Sequence, residues 1–405
     1  MWEQIRSNRR RSAFVVTAMG VLLVAAGMAL GAYVNPTFTG MVVGGIAALV
    51  LWLVQWGVAV GSGDDIMLRM TGARQIRHED HPILVNVVEE MAIAAQLPQA
   101  PRVFIVDDPS PNAFAVGRDP QKTTVAVTTG LLRILDRDEL QGVIAHEIGH
   151  IKNRDVSLIT LAGVMVGSIV ILAELGLRAL WYSGGGLRRS RTSSNRDGGQ
   201  AIILLVAILL LILAPILAQL IYFALSRRRE FLADASSAFF TRYPEGLASA
   251  LEKLSSTHTP LTDTSRVTAP MYIVRPLRKG QKMSATSAFA THPPIADRVR
   301  ILRSMAGGAG FGDYDRAFGK IRGRRIVGEH SIAEAASVPL RQPAAAEQGG
   351  PRERAREASD AFLTASGYGV RTCADCGAKV KAPPSLADRL DACPRCDGDL
   401  GPWTE

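Results

Sequence analysis

The chain has 405 residues, with 46 Lys and Arg against 37 Asp and Glu, a formal net charge of +9 and 47% hydrophobic residues. Its mean hydropathy of +0.14 is high for a protein that meets only water, so part of the apolar content belongs in lipid. The arginines gather beside apolar runs and in one loop, not in a stripe with interleaved aromatics, which argues against nucleic acid as a partner, and all four Cys follow residue 370, which excludes a disulfide-built secreted scaffold.

Residues 12–34 and 37–63 carry no charged side chain, and each exceeds the roughly 20 apolar residues that cross a hydrocarbon core. They are predicted as two transmembrane helices turning at Asn35 and Pro36, so that 1–63 forms an N-terminal hairpin. Arg6, Arg9, Arg10 and Arg11 ahead of the first run place the N-terminus in the cytoplasm. A cleaved signal peptide is the alternative for that run, but the run is long and lacks a clear small-residue cleavage site. Residues 64–155 read as the first part of a soluble domain. It has a helix around Pro82 to Gln96, strands near Val103 to Val106 and Thr124 to Val127, and a helix from about Asp138.

The stretch 156–225 reads as a second hairpin, spanning at 156–182 and at 201–225 and joined by a Gly- and Ser-rich loop that carries Arg188, Arg189, Arg191 and Arg196. An outside position for these arginines runs against the positive-inside tendency. Two buried core helices, with Glu174 and Arg178 paired inside protein, are the alternative. Residues 226–305 read as a mostly helical second part of the soluble domain. The composition of 306–371, in Gly, Ala, Pro, Arg and Glu, reads as a largely disordered linker, and 372–405 as a zinc ribbon.

Within the helix from Asp138 lies His146-Glu147-Ile148-Gly149-His150, on a segment where Leu140, Val143, Ile144, Ile148 and Ile151 form an apolar face. The i, i+4 spacing sets both imidazoles on one side of the helix, where they can grip one Zn²⁺. Glu147 stands beside the metal without binding it and can take the proton of an attacking water. A catalytic zinc needs a third protein ligand and an open fourth position. The segment Ser226-Arg-Arg-Arg-Glu-Phe-Leu-Ala-Asp234 offers Glu230 and Asp234, again i, i+4 on one face. One of them can reach the metal and the other can orient a ligand histidine.

With these residues in place the chain resembles the HtpX family of membrane zinc metalloproteases, related to the CAAX prenyl-protein endopeptidases. The resemblance spans roughly residues 1–305. It rests on His146-Glu-Ile-Gly-His150, on the Ser226 to Asp234 segment, on Pro111-Asn-Ala-Phe114 and on Thr291-His-Pro-Pro294 with Arg298 following. It implies that Glu230 is the third zinc ligand, that Asn112 and the strand before Thr128 help to hold an extended substrate backbone, and that His292 or Arg298 lies near the site. It further implies proteolysis of damaged or misassembled membrane proteins at the cytoplasmic face of a bacterial inner membrane. Read from the residues alone, Asn112 is equally a turn after Ser110 and Pro111, and His292 before two prolines is equally an exposed loop residue. The run Thr123 to Thr129 has the β-branched bias of an edge strand able to accept a peptide. His78, His81, His258 and His330 have no partner spacing and are given no role.

Cys373-Ala-Asp-Cys376 and Cys393-Pro-Arg-Cys396, separated by sixteen residues, have the spacing of a four-thiolate zinc ribbon, a closed and structural site. Redox pairs are the alternative, disfavoured by Gly377 and Gly398 just beyond each second Cys. This tail departs from the HtpX pattern. The whole therefore reads as a mostly α membrane protein: four transmembrane helices, a cytosolic α+β zincin-like protease domain and a small C-terminal ribbon. It is expected to bind one catalytic and one structural zinc, and its partners are expected to be polypeptides and the bilayer. A site-two-type protease with its helix buried in lipid, and a zinc-stabilised scaffold or holdase without peptidase activity, are the rival readings. Charged residues on both sides of the His-Glu helix oppose the first, and the intact Glu147 opposes the second.

Overall fold

The computed structural model describes residues 2–35, 37–117, 121–154, 166, 169–170, 172–178, 198–257, 293–305, 307–326, 338–344, 350–387 and 389–400. Two long helices open the chain, α1 (Trp2–Val34) and α2 (Phe38–Met70). Their backbones touch: a Cβ on Gly44 would lie 2.2 Å from the carbonyl oxygen of Gly27, the close approach that small residues permit between membrane helices. Among the described residues Phe38–Val58 is the segment long and apolar enough to cross a membrane, and Val16–Ala32 is a shorter apolar helix. The second helix continues past residue 63 to Met70, so that Leu68 reaches the soluble domain.

The soluble domain is built on a four-stranded sheet of β1 (Arg74–Gln75), β2 (Arg102–Val106), β3 (Ala113–Val116) and β4 (Thr124–Thr128), in the order β1-β2-β4-β3. β2 and β4 run parallel, and the other two pairs are antiparallel. Because side chains alternate across a strand, Val103, Ile105, Val125 and Val127 enter the main core while Phe104, Val106, Phe114, Val116 and Ala126 pack on the other face with Leu68. The edge-strand reading of Thr123 to Thr129 is thereby corrected. Its β-branched residues are buried on both faces between β2 and β3, and the edge is β3, which alternates Ala with Phe and Val and lacks that bias.

The main core is shared with the sheet first by α3 (Pro82–Ala94), α4 (Thr129–Ile134), α5 (Arg137–Lys152), the tail of α6 (Gly198–Thr241) and α7 (Pro244–Ser256). His81, unassigned in sequence, accepts the Leu84 N–H at 3.2 Å and caps α3. The boundary drawn at 225/226 falls inside α6, a single 44-residue helix. A second core joins Met19 and Leu23 of α1, Ala48 of α2, Ile169, and Ala214 and Ala218 of α6, so all four apolar runs contribute to one bundle interior. The loop with Arg188 to Arg196 and most of 155–171 lie outside the described residues.

Beyond α8 (Ile295–Arg303) the structure overturns the linker reading of 306–371. Helix α9 (Phe311–Arg322) buries Tyr314, Ala317 and Phe318 in the main core, and α10 (Pro351–Ala365) buries Ala358 and Ala361 there. The Gly- and Arg-rich composition hid short amphipathic stripes at helical spacing. Between them the segment 338–344 crosses the domain, with Arg341 bonded to Asp138 at 2.7 Å and to the Thr241 carbonyl at 3.0 Å. A small unit follows, with β5 (Gly369–Thr372) antiparallel to β6 (Lys379–Ala382), then α11 (Pro384–Ala387). An ion pair between Lys381 and Asp360 ties it to α10.

Candidate metal centre

Helix α5 begins with a capping box. The Asp136 carboxylate accepts from the Glu139 N–H and Glu139 accepts from the Asp136 N–H, each at 2.9 Å, which fixes the first turn and with it the phase of everything downstream. Ten residues along, His146, Glu147 and His150 are all buried. Gly149 between them is needed for space, since a Cβ there would lie 2.9 Å from the Ser236 Cβ on α6. That contact brings α6 against α5 and sets Glu230 opposite both imidazoles. The two rings meet edge to face with centroids 4.8 Å apart.

His146 Nε2 lies 3.7 Å from Glu230 Oε2, and His150 Nε2 lies 3.4 Å from Glu230 Oε1. One donor atom from each of the three residues falls within 4.8 Å of the others. A tetrahedral zinc with bonds of about 2.1 Å sets its donors about 3.4 Å apart, so this two-nitrogen, one-oxygen set fits the ion. The other ring nitrogen of His146, Nδ1, lies 3.0 Å from Asp234 Oδ1, the carboxylate partner that fixes the tautomer of a metal-binding histidine. Glu230 and Asp234 thus divide the two tasks their spacing offered.

Arg298 reaches in from α8, fully buried, and grips Asp234 at two points, Nε to Oδ2 at 2.9 Å and Nη2 to Oδ1 at 2.6 Å, with Nη1 3.4 Å from Glu230 Oε2. Burial by itself would raise the Asp234 pKa, but the Arg298 charge and the bond to His146 outweigh it and hold the carboxyl below its ordinary value. Burial likewise works against protonation of His146, and the bonds from Asp234 and Glu230 more than reverse it, moving that pKa up. A pocket whose carboxylates draw a proton to this ring will also draw a cation.

Of the remaining expected residues, Asn112 is buried at the head of β3. Its backbone N–H donates to Thr128 Oγ1 at 2.8 Å, and its side-chain oxygen accepts from the Ala113 N–H at 3.2 Å. His292 lies outside the described residues. Sequence reasoning missed Tyr314, whose buried ring lies among the charges of Asp234, Arg298 and Glu230. The spacing Phe311, Tyr314, Phe318, Ile321 was the signal that could have found its helix.

The four Cys form a second cluster, their sulfurs also within 4.8 Å of one another. Cys373 and Cys396 Sγ are 3.5 Å apart and Cys376 and Cys393 Sγ 3.7 Å, close to the roughly 3.8 Å edge of a four-thiolate zinc with bonds of about 2.3 Å. The thiols share their protons: the backbone N–H of Arg395 foremost draws Cys393 down to about 7. At Cys396 the pull of the Gly398 N–H is outweighed by the neighbouring Cys376 and Cys373 sulfurs, which push it up to about 12. One thiolate therefore forms readily, and a metal must displace the remaining protons.

The sequence of residues 79–306 matches the model of peptidase family M48. Relatives named as HtpX protease homologues include one from Dictyoglomus thermophilum, 46% identical over 304 residues, covering 75% of this chain and 94% of that protein. One from Lactiplantibacillus plantarum is 45% identical over 308 residues, and one from Streptococcus uberis 40% identical over 305, each covering 75% of this chain and 100% of the relative. A crystal structure of S. mikatae Ste24p aligns at 17% identity and a TM-score of 0.36 over 74% of this chain and 66% of that one, too slight a likeness to argue from.

Proposed function

The chain belongs to peptidase family M48 and is a membrane zinc metalloprotease, and from that premise we propose that it cleaves damaged or misassembled membrane proteins at the cytoplasmic face of a bacterial inner membrane. One observation carries this reading. Helix α6 leads without a break out of the apolar run ending at 225 into Glu230, a rise of about 7.5 Å. A site so placed works on polypeptide near a bilayer surface. Polar and charged residues at both ends of α5, Arg137 and Asp138 at one and Lys152, Asn153 and Arg154 at the other, suit that surface better than the hydrocarbon depth of a site-two-type protease.

His146, His150 and Glu230 would hold the zinc, which supplies a Lewis acid that acidifies water and polarises a carbonyl. Glu147 takes the proton of the attacking water on its carboxylate and delivers it to the departing amine. Asp234 accepts from His146 Nδ1 and keeps Nε2 as the lone-pair donor, while Arg298 holds Asp234 ionised and in place. Asn112 and His292 are assigned to substrate contact, with β3 as the sheet edge along which an extended backbone can pair. Cys373, Cys376, Cys393 and Cys396 hold a second, structural zinc, giving two per chain.

The apolar runs at 156–182 and 201–225 are assigned as a second pair of crossings. Both ends of that pair must meet one metal, so they share a side of the membrane, and the first hairpin makes that side cytoplasmic. In a Cys-free background on intact cells, a Cys at Ser193 should react with a membrane-impermeant thiol reagent and one at Ser255 should not. Protection of both would remove the second pair of crossings. The activity itself is tested by comparing the wild type with Glu147→Gln on an unfolded membrane substrate, with metal content measured in both. Zinc should stay near normal while cleavage falls on the order of a hundredfold or more, and equal cleavage by the two proteins would refute the reading.

A further inference from the structure

Tyr314 is fully buried, and its hydroxyl, which lies toward Asp234, makes no hydrogen bond of ordinary length and geometry. A buried polar group in that state is destabilising, and a Phe would fill the same space without the penalty. Such orphans in a native interior call for an explanation, often a functional one.

The helix that delivers this hydroxyl is fastened to both elements of the metal centre. The Phe318 ring packs edge to face on Phe231 of α6 at 4.9 Å, and Arg322 lies over the same Phe231 ring. Arg322 also pairs with Asp297 of α8 at 3.5 Å. Past the end of α9, the Ile326 N–H donates to Asp315 at 2.8 Å and its carbonyl accepts from Arg228 of α6 at 2.9 Å. The helix that carries Tyr314 is therefore fastened to α6, which bears Glu230 and Asp234, and to α8, which bears Arg298. Helix α9 begins after the end of the M48 match at residue 306, so the family region does not supply this group.

We propose that Tyr314 is a positioning residue of the metal centre, its single hydroxyl proton serving as an outer donor to one of the two neighbouring carboxylates, Asp234 or Glu230, when a zinc ion engages the ligands. The inference rests on the reading of His146, His150 and Glu230 as the zinc site. A carboxylate that gives one oxygen to a metal leaves the other for an outer donor, and the oxygens of Glu230 lie 3.4 to 3.7 Å from His146, His150 and Arg298. Burial foremost, then the negative charge of Asp234, raises the Tyr314 pKa well above its ordinary value, so the hydroxyl stays protonated and able to donate.

The test is Tyr314→Phe in the full chain with all four Cys changed to Ser, so that one zinc site remains. Zinc affinity is measured by competition with a chelator, the thermal midpoint on zinc-free protein, and kcat and KM on a short peptide. The proposal expects zinc affinity to fall about tenfold or more, kcat to fall with KM little changed, and the zinc-free midpoint to stay level or rise because an orphaned hydroxyl has gone. Unchanged affinity and kcat would overturn it and leave Tyr314 a packing residue. A zinc-free midpoint that drops together with affinity would overturn it as well, by showing a structural role. Glu230→Ala in the same background must lose zinc. If it does not, the ligand assignment fails, and if it does while Tyr314→Phe keeps its zinc, only the tyrosine's role fails.

Discussion

The ribbon draws its four sulfurs from the 24 residues Cys373 to Cys396, whereas the protease centre draws its three donors from His146, His150 and Glu230, up to 84 residues apart. Each half of the ribbon is a self-contained turn with a repeated backbone pattern: Gly377 N–H to the Cys373 carbonyl at 3.0 Å, and Asp397 N–H to the Cys393 carbonyl at 2.8 Å. Two of its cysteines, Cys376 and Cys396, are exposed. The protease centre is buried throughout and is held by Arg298 from a third segment of the chain. Local construction makes the ribbon separable from its surroundings. Distributed construction makes the protease centre part of the core, so damage to it spreads into the fold.

That contrast can be broken or sharpened by substitution, ranked by effect on the protease centre. Arg298→Ala should be the most severe, because it leaves Asp234 as an uncompensated buried charge, a loss of about 3–5 kcal/mol. A thermal or denaturant melt of the purified protein checks it, and a near-normal midpoint would mean that the centre is not built into the core as described. Glu230→Ala should reduce peptide cleavage by more than the roughly 100-fold that outer partners command and lower bound zinc from two per chain to one. Elemental analysis beside a peptide assay decides this, and two retained zincs would contradict the ligand set.

Arg341→Ala should cost about 1–2 kcal/mol. It removes the bonds from the 338–344 segment to Asp138 and Gln141 at the start of α5, and a guanidinium stacked 4.9 Å from the Tyr243 ring centre. Its melt should shift modestly with no loss of zinc. The smallest effect on the centre should come from Cys373→Ser combined with Cys396→Ser. Zinc should again fall to one per chain while cleavage of a short peptide stays within about twofold of wild type. A stoichiometry of one in the unaltered protein under reducing conditions would remove the ribbon's metal from the account.

The His-Glu helix, both Cys knuckles and the leading hairpin were legible from single stretches of sequence, and the strands β2 and β4 from their apolar, β-branched runs. Spacing alone narrowed the third ligand to Glu230 and Asp234, and only the family resemblance pointed to Glu230, since i, i+4 spacing tells which residues share a helix face and not which of them meets a neighbour. The reading failed where composition misled. Gly- and Arg-rich segments around α9 and α10 looked disordered, yet short apolar stripes are enough for a helix once a core exists to receive them.

What the sequence by itself determined is chemistry that fits within a turn or two of chain: two imidazoles on one face of a helix with a carboxylate beside them, thiols in pairs, apolar runs of membrane length. Periodicity and short spacings fix such features before any long-range contact forms. Tertiary structure alone decided which strand is the edge of the sheet, which carboxylate faces His146 Nδ1 and which faces Nε2, how Arg298 grips Asp234, and that Tyr314 stands behind them. Those outcomes depend on how α5, α6, α8 and α9 close on one another, through contacts such as Gly149 against Ser236 that packing sets and no local pattern encodes.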